Sequence, residues 1–262
     1  MVAAAAGFLV TLASLALLWR FLPRRANFRQ KSIPTSAGLA FMPIILGAYM
    51  AGMLAGWERD ALAFLLYTLV AGLVGYVDDM WGGAEARGFR GHFGALVRGR
   101  VTTGAIKAGV LGGGAFIFAL AAVDGGIFGV IIASVLMAGS VNLANLFDVR
   151  PARTLKFLGI PSVLLLLAVP EHVRVAVLPV LGGALALFGL DLRGRLMLGD
   201  SGAAVCGAVA GYLVVMSGPG VVWWVALAVI LGLTAVAEAF SISALIERSG
   251  MLRRLDRWGR ID

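Results

Sequence analysis

Two aspartates stand side by side in VGYVDDMW, residues 74–81, where a long apolar run ends. Like charges repel, and the partial negative charge of a helix C-terminus favours neither Asp78 nor Asp79. Asp148 closes a second apolar run, in VNLANLFDVRPARTLK, and Asp200 opens a third, in LMLGDSGA. Carboxylates gathered without His or Cys call for a hard cation with oxygen ligands, Mg²⁺ first and Mn²⁺ as an alternative. Mg²⁺ in turn bridges to phosphates, and Lys31, Lys107 and Arg153 would complete a diphosphate site.

The local patterns admit plainer readings as well. Asn142, Asn145 and Asp148 are spaced three apart and share a helix face. Polar groups on a membrane helix line an interior cavity, but asparagines also hold helices together by hydrogen bonds. Asp200 sits where a helix begins, so the dipole and free N–H groups alone would favour it. Gly199 and Gly202 beside it would let a ligand approach the backbone.

The elements that position these groups are membrane helices. Hydrophobic residues make up 60% of the chain, charged residues only 14%, and mean hydropathy is +0.95, which excludes an ordinary soluble domain. Apolar runs of roughly 17 to 25 residues recur throughout. They predict an all-α, polytopic helical bundle with about nine spans, near 2–22, 34–55, 61–77, 103–122, 126–145, 155–169, 174–190, 201–217 and 221–246. One transmembrane domain over 1–262 is expected, with site loops at about 23–33, 78–102, 146–156, 191–200 and 247–262. The first run has no basic residues before it, unlike a cleaved signal peptide, so it is expected to remain as a span.

Charge fixes an orientation. With 23–33 on the cytoplasmic side and alternation from there, all of the 22 Lys and Arg except Arg59 and Arg174 fall in or beside cytoplasmic loops. The N-terminus is then expected outside and the C-terminus inside. All four aspartates face the cytoplasm, next to basic loops that touch anionic membrane lipids. Outer acids, Asp60 among them, read as solvated loop charges. Nucleic acid is excluded as a partner, since no soluble aromatic-rich module accompanies the basic charge. Cys206 is the single cysteine, which excludes an internal disulfide and a cysteine metal site.

Five segments, in order, resemble the polyprenyl-phosphate N-acetylhexosamine-1-phosphate transferases, the family that includes the bacterial enzyme making lipid I. They are KSIPTSAGLAF (31–41), DDMWG (78–82), TTGAIKAG (102–109), NLANLFD (142–148) and LMLGDSGA (196–203). The resemblance implies that a polyprenyl phosphate attacks the β-phosphorus of a nucleotide-diphosphate sugar, a UDP-sugar by preference. Sugar-1-phosphate moves to the lipid and a nucleotide monophosphate leaves. It implies Asp200, Asp148 and Asp79 as the metal set, Asp78 as the base for the lipid phosphate, and Lys31 and Lys107 on phosphates or nucleotide. Asn142 and Asn145 belong to the same substrate-facing motif. A homodimer is a further option.

The chain also departs from that family. Where the lipid I enzyme has Gly-x-Asp after its motif aspartate, this chain has VRPARTLK, with Pro151 in place of the second aspartate. Arg150, Arg153 and Lys156 would then grip the donor or lipid phosphate. Met197 replaces an aromatic residue, and the family's His-rich stretch is absent, leaving His92 and His172. Glu238 is the one acid expected inside a span, which makes it a secondary candidate. Two other functions remain open: an ion-coupled transporter, disfavoured by acids at one membrane face rather than the midplane, and a catalytically idle lipid-binding protein.

Overall fold

The computed structural model describes residues 1–27, 29–82, 94, 95 and 97–260. Arg87, Arg90 and His92 lie outside the described residues. The chain folds as helices α1 (Val2–Leu18), α2 (Met42–Ala55), α3 (Arg59–Trp81), α4 (Thr103–Ala122), α5 (Gly126–Phe147), α6 (Arg153–Phe157), α7 (Gly159–Leu165), α8 (Glu171–Leu192), α9 (Gly199–Met216), α10 (Val221–Ala239), α11 (Ile242–Arg248) and α12 (Gly250–Arg257). A short antiparallel hairpin, β1 (Arg24–Ala26) and β2 (Ser32–Pro34), pairs Arg24 with Pro34 and Ala26 with Ser32. A 3₁₀ turn, Ala37–Phe41, leads from it into α2.

Helix α9 is the central post. It is almost wholly buried, because small residues (Gly, Ala, Ser) let α3, α5 and the 3₁₀ turn come close. A Cβ on Gly38 would fall 2.0 Å from the Gly202 nitrogen, and one on Gly75 would fall 2.4 Å from the Asp200 carbonyl oxygen. No side chain fits either place. Backbone pairing adds to this: Met197 N–H donates to Pro34 O (2.8 Å), and Gly38 N–H donates to Leu198 O (3.1 Å). The hairpin and the GDSG segment are thereby locked side by side.

Among the described residues, seven helices are long and apolar enough to cross a membrane, where nine spans were expected. α1 is apolar but has 17 residues. The expected span 155–169 divides into α6 and α7 around Leu158. Pro161 explains the break: it lacks an N–H and its ring crowds the carbonyl four residues earlier. Leu158 N–H to Thr154 O and Ser162 N–H to Leu158 O still carry the chain across it (both 3.0 Å). The expected span 221–246 stops at Ala239. Phe240 and Ser241 are extended, and Ser241 Oγ caps α11 by accepting from Ala244 N–H. Glu238 therefore lies at the exposed end of α10, not in mid-span.

Asp60 corrects another expectation. It is 9% exposed, not a solvated loop charge. Tyr212 Oη donates to its carboxylate at 2.7 Å, and His172 Nε2 lies 3.2 Å away. The Tyr212 ring stacks on Phe64 with centroids 4.1 Å apart. This network ties α3, α8 and α9 together at the end of the bundle opposite Asp79 and Asp200.

Candidate active site

The site is built where α3, α5 and α8 end and α9 begins. Adjacent residues on a helix diverge by about 100°, so Asp78 and Asp79 reach different partners. Asp79 turns to α9: its Oδ1 accepts from Asp200 N–H at 2.9 Å and its Oδ2 from Ser201 N–H at 3.3 Å. These are among the unpaired donors that every helix N-terminus carries. A carboxylate that its own helix end disfavours thus caps another helix, where the dipole favours it. Gly199 makes the approach feasible with φ of 70°. A Cβ there would lie 2.5 Å from Asp79 Oδ2 and 2.9 Å from Ser36 Cα. On the hairpin side, Arg25 donates to the Asp79 carbonyl oxygen.

Asp78 turns to α4. Lys107 Nζ donates to Asp78 Oδ2 at 3.1 Å and also to Asp200 Oδ2. The lysine is 9% exposed, so it is a buried cation held between two carboxylates from different helices. Thr102 starts α4 correctly by accepting Ala105 N–H on its hydroxyl (3.1 Å), which sets the phase that aims Lys107 inward.

A cavity of about 470 Å³ opens beside this triad. Asp79, Asp148, Asp191 and Asp200 line it, together with Arg25 and Arg150. Thr154 Oγ donates to Asp148 Oδ1 at 3.2 Å. Burial, and then the negative charges of Asp191, Asp200 and Asp79, push the Asp148 carboxyl well above the usual carboxylate range.

Asp191 is a site residue that the motif reading did not single out. Its Oδ2 accepts from Ala152 N–H at 2.9 Å, and Ala152 takes a left-handed φ of 53°. The signal was present: Asp191, like Asp148, closes an apolar run just before arginines. The bond holds the loop after Asp148 and so sets where Pro151 and Arg150 stand.

The other expected residues scatter. Lys31 lines a neighbouring cavity rather than the carboxylate one. Asn142 Nδ2 donates to Thr234 Oγ of α10 at 3.4 Å, the helix-joining role. Asn145 Oδ1 is buried and has no hydrogen-bond partner among the described residues. Arg153 and Lys156 face away from the cavity. Arg153 is 1% exposed and pairs with Asp256 through Nε (2.8 Å) and Nη2 (3.1 Å), while Nη1 donates to Ser243 Oγ (2.8 Å). Lys156 Nζ donates to the carbonyls of Asp256 (2.9 Å) and Trp258 (2.6 Å). Their donors anchor the C-terminal segment, whereas the expectation had them on a donor or lipid phosphate.

Among the described residues, no three acid, His or Cys side chains converge to hold a metal. Asp79 is the reason in part, since both of its oxygens are engaged with α9. Oxygen donors remain at Asp148 and Asp200, which line the same cavity. That suits Mg²⁺, which binds through one or two carboxylates and leaves its other positions to water and substrate phosphates.

No protein-family model matches the chain. Over 55 residues it is 38% identical to a phospho-N-acetylmuramoyl-pentapeptide-transferase from Picosynechococcus sp.. The match covers 21% of this chain and 14% of the relative's length.

Proposed function

We propose that the chain transfers a sugar-1-phosphate, an N-acetylhexosamine phosphate by preference, from a nucleotide-diphosphate sugar to polyprenyl phosphate at the cytoplasmic membrane face. The observation that carries this reading is one cavity lined by Asp79, Asp148 and Asp200, with the Asp78–Lys107–Asp200 bridge beside it. The relative's name, a phospho-sugar transferase, supports the same kind of reaction.

In this reading the lipid phosphate oxygen attacks the β-phosphorus of the donor. The bond from that phosphorus to the nucleotide's bridging oxygen breaks, and nucleoside monophosphate departs. Negative charge grows on the transferring phosphoryl group and the leaving phosphate, so fixed positive charge is what lowers the barrier. Lys107 supplies it from a buried, preorganised position. Asp78 and Asp200 hold the ammonium in place, so that Asp78 positions the lipid phosphate through Lys107. Arg25 and Arg150 orient the diphosphate from the cavity wall. Asp200 and Asp148 would hold Mg²⁺, which when bound neutralises phosphate oxygens. Asp79 fixes the α9 N-terminus on which Asp200 is mounted.

The test uses purified protein, undecaprenyl phosphate, Mg²⁺ and a panel of nucleotide sugars. Mg²⁺-dependent release of a nucleoside monophosphate with one of the donors is expected. No release with any donor, alongside ion flux in liposomes, would replace this reading with transport.

A further inference from the structure

A second cavity, of about 460 Å³, adjoins the carboxylate one; Asn27 and Pro151 face both. Its chemistry is the reverse. Arg29, Lys31, Arg193, Arg195 and Arg260 line it, and no carboxylate does among the described residues. The cations come from three separate places: the hairpin turn, the loop between α8 and α9, and the C-terminal segment. Arg260 is held there by Nη2 to Asp256 Oδ1 (2.6 Å) and Nε to Pro151 O (3.3 Å). Arg260 thus has Asp256 as its counter-ion, whereas holding Lys31, Arg193 and Arg195 close together costs energy unless an anion joins them.

The rim identifies the kind of anion. Trp19 stands just beyond the last residue of the apolar helix α1, and aromatic side chains at the ends of apolar helices are enriched at membrane–water interfaces. Leu190 and Leu192, at the end of α8, add apolar lining. Phe21, next to the hairpin, is 82% exposed. A phosphate held by the cations with acyl chains leaving past Trp19 would satisfy both halves of this surface. A soluble phosphate would use only the first.

We propose that this cavity binds the phosphate headgroup of an anionic membrane lipid, separately from the carboxylate cavity. The proposal does not depend on which reaction, if any, the carboxylate cavity performs. A lipid seated there would brace the hairpin, the α8–α9 loop and the C-terminal segment against each other. The hairpin and the α8–α9 loop also border the carboxylate cavity.

The test measures binding of phosphatidic acid, phosphatidylcholine and inorganic pyrophosphate to the full-length protein in detergent, by native mass spectrometry. Phosphatidic acid is expected to bind, phosphatidylcholine not, and pyrophosphate more weakly than phosphatidic acid. Near a membrane surface each basic residue contributes roughly a fivefold gain in affinity for an anionic lipid. The double substitution Arg193→Gln and Arg195→Gln should therefore weaken phosphatidic acid binding about 25-fold. Wild-type protein should lose phosphatidic acid as salt rises, a readout that does not depend on a variant folding. Equal binding of phosphatidylcholine, or unchanged affinity in the double variant, would overturn the proposal. Tighter binding of pyrophosphate than of either lipid would overturn the lipid source and leave a soluble phosphate.

Discussion

The carboxylate of Asp79 belongs to the end of α3, yet it caps α9, accepting the backbone N–H of Asp200 at 2.9 Å. This contact places the Asp200 side chain in reach of Lys107 and settles why two aspartates adjoin each other. One serves α9, the other serves Lys107.

Asp79 should then be separable from its neighbours by stability. Asp79→Ala removes a cap and should cost about 0.5–2 kcal/mol. Asp79→Asn keeps an acceptor at the cap and should unfold within a few tenths of a kcal/mol of wild type. Thermal unfolding in detergent reads the difference. Equal melting of the Ala variant and wild type would remove the capping role.

Lys107 and Asp200 should be separable by turnover. Lys107→Ala takes the fixed cation from the site, and nucleotide release should drop about 100-fold or more. Asp200→Asn should abolish Mg²⁺-dependent turnover in a protein that still inserts. Wild-type rates in either variant would exclude that residue from the chemistry.

Acid should loosen the C-terminal segment before the rest. Burial alone would raise the Asp256 carboxyl, but the guanidiniums of Arg153 and Arg260 hold it below the usual range. A carboxylate with a depressed folded pKa stabilises fully above its unfolded value, near 3.9. The contribution is lost as pH falls from there through the folded value. Limited proteolysis between pH 6 and pH 3 should therefore show protection of residues 242–260 fading below about pH 4. In Asp256→Asn the segment should be cut readily across the whole range. Arg153→Ala should expose it too, since unpairing a buried ion costs about 3–5 kcal/mol. Protection unchanged in both variants would contradict the clamp.

The acids were legible because each closes or opens an apolar run, which forces it to a helix end. The ends of α3, α5 and α9 then meet at one place. Asp191 satisfied the same rule but carries no motif around it. The partners of Arg153 and Lys156 were not legible, because Asp256 lies 103 residues from Arg153 and only the fold joins them. Hydropathy misjudged 155–169 for a local reason: an average over apolar neighbours does not register the N–H that Pro161 lacks. The buried state of Asp60 depends on Tyr212 and His172, again from distant helices.

The most direct measurement follows both products of transfer together. Protein in liposomes with undecaprenyl phosphate receives a UDP-sugar labelled in the sugar, with and without Mg²⁺. Label entering the lipid in equal molar amount to released UMP, only with Mg²⁺ and lost in Asp200→Asn, is the predicted result. Neither product forming with UDP-sugars or other nucleotide sugars, from folded protein, would contradict it.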